Sequence, residues 1–303
     1  MPTACINQPD CRVHLRSERL EIFGRNEQTG RDEVLREIPV RDLDRLIVVE
    51  SVQVSSQAMA ALLRAGIPVN LLGWNGEFLG GFLPASNAHG LARLRQYRQT
   101  QDTPFALSLA GRIVSAKIYN QRRVLQRLGA SRRTGVETDE APSLEAGASP
   151  APSVSSPERR IPPSELQATL TWLDSLLASL GRSKGIDELR GYEGVSTARY
   201  FQAWGTFLPE DFPFERRSTR PPLNPVNACI SFGATILYSE MVAFIQAHGL
   251  DPALGLLHAT EDGRWSLALD LIEPFRSVLV EARAVVFKAA IEDAARFEPF
   301  LMN

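Results

Sequence analysis

Between Cys11 and Leu83 the apolar residues recur in short, alternating or β-branched runs, at Val13 to Phe23, Ile38 to Val40, Leu46 to Val54 and Val69 to Leu72, separated by Gly and Asn turns. A period of two in segments this short predicts strands. One helix is expected among them, Ser56 to Ala65, opened by a serine that caps the first turn. It is closed by Gly66, which adopts the left-handed conformation that ends helices. Trp74-Asn75-Gly76-Glu77 places an Asn-Gly pair between apolar segments, the favoured two-residue hairpin turn.

After Pro84-Ala85-Ser86-Asn87 the period becomes helical and stays so. A domain boundary near residues 84 to 90 follows, giving an α+β chain: a small N-terminal β domain over 1–85 and a larger all-α domain over 86–303. Phe105 to Leu128 puts Phe105, Leu109, Ile113, Ala116, Val124 and Leu128 on one stripe, with Arg112, Lys117 and Arg123 elsewhere. Residues 131–163 hold six Pro, six Ser and no aromatic residue, a composition that buries too little apolar surface to offset ordering entropy. This segment reads as a disordered insertion. Helical pattern resumes at Ser164, with Gln167 three residues on, and runs to Leu180. Ala228 to His248 reads as a central core helix, and Leu267 to Phe287 as the last clear one.

Charge alters this picture only locally. With 33 basic residues against 35 acidic, the chain has no overall nucleic-acid signature. Between His89 and Arg133, however, ten Lys or Arg stand against one acid, Asp102. That run is either a solvated helix face or a surface for phosphates. Cys5, Cys11 and Cys229 are odd in number and show no C-x-x-C spacing, so neither a disulfide framework nor a structural zinc is expected. No segment reads as a signal peptide or a bilayer span, and the expectation is a cytoplasmic protein without a membrane partner.

The chemistry-bearing residues are Glu193, in Gly191-Tyr192-Glu193-Gly194; His258, closing Gly255-Leu256-Leu257-His258; and Asp270 and Glu273, one turn apart on the last helix. Three carboxylates and an imidazole suit Mg2+ or Mn2+, the cations that neutralise phosphate oxygens and activate a hydroxyl or water. Singly, Glu193 near a helix start is equally a capping carboxylate, and His258 a satisfied core residue. Asp270 and Glu273 lie among Leu267, Leu269, Leu271, Ile272 and Phe275, where two acids need a counter-charge. Arg216-Arg217-Ser218-Thr219-Arg220 precedes Asn224-Pro225-Val226-Asn227 and suits bidentate phosphate contacts, or pairing with Glu210, Asp211 and Glu215. Tyr192, Arg199 and Tyr200 either grip nucleic acid or pack.

In combination these motifs resemble the CRISPR-associated adaptation endonuclease, the integrase subunit that inserts new spacers into a CRISPR array. The resemblance runs from about Val13 to about Lys288. It rests on Gly191-Tyr192-Glu193-Gly194 with Ala198-Arg199-Tyr200-Phe201, on Arg220-Pro221-Pro222 with Asn224-Pro225-Val226-Asn227, on Gly249-Leu250-Asp251-Pro252 leading to Leu257-His258, and on Leu267-Ala268-Leu269-Asp270-Leu271 leading to Glu273 and Phe275-Arg276. It implies a β domain that forms a homodimer and a helical domain holding one metal. Glu193, His258 and Glu273 fall on the metal-ligand positions, with Asp270 as an adjacent catalytic acid. Arg112, Lys117 and Arg122 look like the family's basic helix, and Arg199, Arg217, Arg220, Asn227 and Arg276 complete the expected DNA contacts. Double-stranded DNA and a small CRISPR-associated partner protein are the implied companions. A nuclease of repair or mobile-element type and a non-catalytic DNA scaffold are the competing readings. The insertion at 131–163 is longer than the family leads one to expect.

Overall fold

The computed structural model describes residues 3–26, 29–134, 161–209, 211–212, 214–219 and 221–282. Eight strands come first: β1 (Thr3–Ile6), β2 (Arg12–Arg16), β3 (Arg19–Arg25), β4 (Asp32–Pro39), β5 (Arg45–Val49), β6 (Gln53–Val54), β7 (Val69–Leu72) and β8 (Phe78–Phe82). One sheet has the order β1-β5-β7-β8, parallel except for the antiparallel β7–β8 pair; the other runs β4-β3-β2-β6. The expected segment Val13 to Phe23 is a hairpin, because Ser17 and Glu18 take positive φ and reverse the chain between β2 and β3. β1 and most of β4 have no counterpart among the expected strands. β4 is largely exposed and charged, so alternation is weak there.

The two sheets share a core with α1 (Ser56–Arg64), built from Val13, Leu20, Ile22, Leu46, Val48, Leu62 and Val69. Ser55, one residue before the expected cap, accepts the Ala58 N–H at 3.3 Å, and Gly66 has φ +79°. The Asn75-Gly76 pair does reverse the chain between β7 and β8, but the two-residue hairpin is corrected: Gly73 donates to the Glu77 carbonyl at 2.8 Å and brackets a three-residue loop, in which Gly76, at φ +80°, takes positive φ and Asn75 does not.

Among the described residues there are seven helices: α1, α2 (Gly90–Gln101), α3 (Thr103–Thr134), α4 (Pro163–Leu180), α5 (Ile186–Gly205), α6 (Pro225–Ala247) and α7 (Ser266–Arg276), which runs on into a π-helical stretch, Ser277–Glu281. This is the α+β arrangement expected, with an N-terminal β region and a helical remainder. Of the Pro/Ser-rich segment, residues 131–134 end α3 and Pro163 opens α4; 135–160 lie outside the described residues.

The chain divides into two compact units, 1–108 with 232–272 and 109–231 with 273–303. The division therefore differs from the change of secondary-structure type near residue 85. In the first unit, Ser239 of α6 donates to the Gly76 carbonyl at 2.8 Å, and a Cβ added at Gly76 would stand 2.9 Å from Ile236. Val242, Ile245, Leu267 and Ala268 make a second small core. In the second unit, Tyr200, Phe201, Trp204 and Phe214 meet in edge-to-face and tilted pairs 5.2 to 5.8 Å apart.

α6 corrects one expectation. Its most apolar window has a mean hydropathy of 1.6, so by length and composition it is long and apolar enough to cross a membrane. Its polar residues are nonetheless engaged inside the protein: Asn227 and Ser239 are buried, and Glu240 pairs with Arg45. Those contacts tie one face of the helix into the protein's own packing, but Phe232, Ile236 and Phe244 are exposed, so the expected central core helix is only partly buried.

Candidate metal and nucleic-acid site

The four chemistry-bearing residues form two clusters. In the first, the loop Gly255–His258 wraps around the side chain of Asp270, which is wholly buried. The backbone N–H groups of Leu256 and Leu257 donate to Oδ2, and that of His258 to Oδ1 at 2.8 Å. His258 Nδ1 lies 2.7 Å from the same Oδ1. With Nδ1 donating to the carboxylate, the imidazole is held in one orientation, and Nε2 is the ring nitrogen left for another partner. The loop needs its glycine, because a Cβ at Gly255 would fall 2.4 Å from the His258 carbonyl oxygen and 2.6 Å from Ser266 Cβ. Asp270 thus fixes the orientation of the His258 ring.

The second cluster surrounds Lys117 on α3. Its ammonium contacts Glu193 Oε1, from α5, and Glu273 Oε2, from α7. Thr197, one turn after Glu193, donates to Glu193 Oε1 at 3.1 Å, and Arg276 donates to Glu273 Oε1 at 3.2 Å. Glu193 is mid-helix, so the expected placement near a helix start is corrected. Gly191 and Gly194 are helical too. α7 supplies one carboxylate to each cluster, three residues apart. Pro274 inside it brings no N–H for the Asp270 carbonyl, and its own carbonyl accepts from Asn120 at 2.7 Å.

Behind Glu273 lies a buried set of polar groups. Glu281, at the end of the π-helical stretch, and the Tyr200 hydroxyl are fully enclosed. Burial pushes both the Glu281 carboxyl and the Tyr200 phenol above their ordinary ranges, although Arg276 and Lys117 oppose the shift at Glu281. For Arg276 burial alone would lower the pKa, but Glu273 and Glu281 outweigh it and the net shift is upward. Arg217 is lowered to about 10 by burial and by Arg276.

Among the described residues no three His, Cys, Asp or Glu meet as a ready-made metal cluster. Within the second unit Glu193 and Glu273 nevertheless already converge on one positive centre, Lys117, and a pair of hard oxygen donors suits Mg2+ or Mn2+.

Sequence comparison decides the family. The profile described as CRISPR associated protein Cas1 matches residues 4–298. The chain belongs to the Cas1 family. It is 28% identical over 277 residues to CRISPR-associated endonuclease Cas1 1 of Thermodesulfovibrio yellowstonii, covering 91% of this chain and 76% of that one. It spans 62% to 65% of the length of four further Cas1 relatives. Among solved structures it is similar to a casposase bound to integration product, with TM-score 0.68 and 25% identity over 97% of this chain and 74% of that one. It is also similar to a chain of a partial Cas6-RT-Cas1–Cas2 complex, with TM-score 0.64 and 25% identity over 96% and 75%.

Within this Cas1 chain the expected DNA contacts separate into distinct environments. Arg112 is exposed on α3, as are Arg123 and Arg127. Arg122 pairs with Asp174, and Arg199 lies over the Trp172 ring, 4.7 Å from its centroid. Arg276 is largely occupied by Glu273. Three expectations are corrected. Lys117, 4% exposed, lies on the buried stripe of α3, and two carboxylates occupy its ammonium. Asn227 is fully buried, accepting from Arg217 at 3.0 Å and donating to the Arg216 carbonyl. Arg217 is spent on Asn227 and Ser231, so it braces the Asn224–Asn227 corner. Arg220 lies outside the described residues. Tyr200 packs; it does not face nucleic acid. The α3 stripe is Ala110, Ile113, Val114, Lys117, Ile118, Gln121, Val124 and Leu125. It is rotated from the expected one because a lysine and a glutamine sit among its buried positions.

Proposed function

We propose that this Cas1 chain is a metal-dependent DNA endonuclease and integrase of CRISPR adaptation, joining a DNA 3′-hydroxyl to a backbone phosphate. The observation that carries the reading is the pairing of two carboxylates on one cationic centre with a histidine oriented by a buried aspartate. Family membership and the likeness to a casposase bound to integration product support the same chemistry.

In this reading Glu193, Glu273 and His258 are the residues that would hold Mg2+ or Mn2+. When bound, that ion neutralises phosphate charge and lowers the pKa of the attacking hydroxyl. Asp270 keeps His258 in the orientation that leaves Nε2 free, and Thr197 and Arg276 fix the two glutamates. The reaction forms one phosphodiester and breaks another: the incoming 3′-oxygen bonds to phosphorus, and the displaced 3′-oxygen of the target strand leaves and takes a proton. No protein ester is needed. Water in place of the 3′-hydroxyl gives hydrolysis. Arg112, Arg123 and Arg127 supply sequence-independent phosphate contacts.

Double-stranded DNA, a second copy of the chain bound through the β region, and a small CRISPR-associated partner complete the proposed assembly. The likeness to a chain of a Cas1–Cas2 complex supports the partner. The cytoplasm is the compartment this work requires. A second reading, integration by a mobile element, draws on the casposase likeness, and neighbouring genes and a repeat array would decide between them.

Glu193→Ala and His258→Ala should each abolish strand transfer into a repeat-bearing supercoiled plasmid while leaving DNA binding within a few-fold. Integration by Glu193→Ala protein at the wild-type rate would overturn the assignment.

A further inference from the structure

Lys117 was expected on a DNA-binding surface, yet it is only 4% exposed and its ammonium touches both Glu193 and Glu273. Among the described residues, the cations in contact with these two carboxylates are Lys117 and the Arg276 that bonds Glu273, one positive charge for each negative one. A largely buried pair balanced in this way binds a further divalent ion more weakly unless a resident positive charge leaves or a negative ligand arrives. Arg276 is the less able to leave. It is braced by Glu273 and faces Glu281, whereas the flexible Lys117 stem ends in a single charge on the two carboxylate oxygens.

We propose that Lys117 is the resident counter-ion of this site, and that a divalent cation must displace its ammonium from Glu193 and Glu273 in order to bind. The inference rests on the metal-site reading above and adds a competition within it. Lys117 keeps the two carboxylates converged while no metal is present. Its displacement then makes cation affinity weaker than the bare carboxylate pair would give. By linkage, whatever favours the Lys117 pairing disfavours the cation to the same degree. A phosphate entering beside the ion would restore the balance, so cation and DNA should bind with positive coupling.

The test compares full-length wild type with Lys117→Met, which keeps the buried aliphatic stem and removes the charge. Free Mn2+ is followed by electron paramagnetic resonance during titration, and melting temperature is measured in EDTA and in Mn2+. Under the proposal K117M binds Mn2+ about tenfold more tightly, melts lower than wild type in EDTA, and gains more from Mn2+. If K117M does not fold in EDTA, refolding in Mn2+ should recover it, and failure to recover overturns the proposal. Binding by K117M equal to or weaker than that of wild type also overturns it, while leaving the metal site standing. No saturable Mn2+ binding by either protein overturns both.

Discussion

The His258–Asp270 and Lys117–Glu193–Glu273 clusters draw on the same helix, α7, yet are held in opposite ways. Asp270 is gripped by three backbone N–H groups and an imidazole, so its position is set by the path of the 255–258 loop. Glu193 and Glu273 are held by the tips of side chains, from Lys117, Thr197 and Arg276. A backbone cage resists change because each of its donors is left unsatisfied if the acceptor goes. A side-chain cage rearranges by rotamer changes alone. The first cluster therefore holds a histidine rigidly, and the proposed exchange of cations falls to the second.

Removing the acceptor from the backbone cage breaks this contrast most severely. Asp270→Ala leaves buried N–H groups without a partner and should cost about 3 kcal/mol or more of stability, measured by urea denaturation. It should also lose strand transfer. A stable Asp270→Ala protein with a wild-type unfolding midpoint would mean that the loop is not shaped by this carboxylate.

Gly255→Ala acts on the same cage from outside. The added methyl must displace the His258 carbonyl or Ser266, at a cost of roughly 1–3 kcal/mol, and should impair catalysis through His258 while DNA affinity is kept. Unchanged stability would show that the loop yields freely.

The smallest effect is expected behind the second cluster. The Glu281 pKa is raised in the folded protein, so its contribution to stability is fully present below the ordinary carboxylate value of about 4.3. That contribution is lost as pH rises through the higher folded value. Glu281→Gln mimics the protonated form and should flatten this decline, losing less stability than wild type between acid and neutral pH. A difference in melting temperature that does not vary with pH would contradict the assignment.

The contrast between the clusters also explains what could be read from the chain alone. Glu193, His258, Asp270 and Glu273 were legible because acids and a histidine within apolar or glycine-flanked runs demand partners, and the α+β order followed from the change in apolar period near residue 85. The partners of Asp270 and Lys117 were not legible. A run of basic residues says nothing about which one turns inward, and Lys117 faces the same way as Ile113, Val114 and Gln121 only because α3 buries a different stripe from the one its largest apolar residues suggest. Asn227 and Arg217 were misplaced for a similar reason: a motif that resembles a phosphate grip spends its donors on its own backbone corner. Cooperation between distant segments was the missing signal, although a lone lysine among Ile113, Val114 and Ile118 was a clue to a buried acidic partner.

The central claim, that two glutamates and an oriented histidine take a divalent cation, is tested most directly by anomalous diffraction from crystals of the full chain grown with Mn2+. The account predicts one Mn2+ peak within about 2.3 Å of a carboxylate oxygen of Glu193, a carboxylate oxygen of Glu273 and His258 Nε2, with the Lys117 ammonium moved away. A fully loaded crystal with Lys117 still bridging the two glutamates and no peak beside them would contradict it.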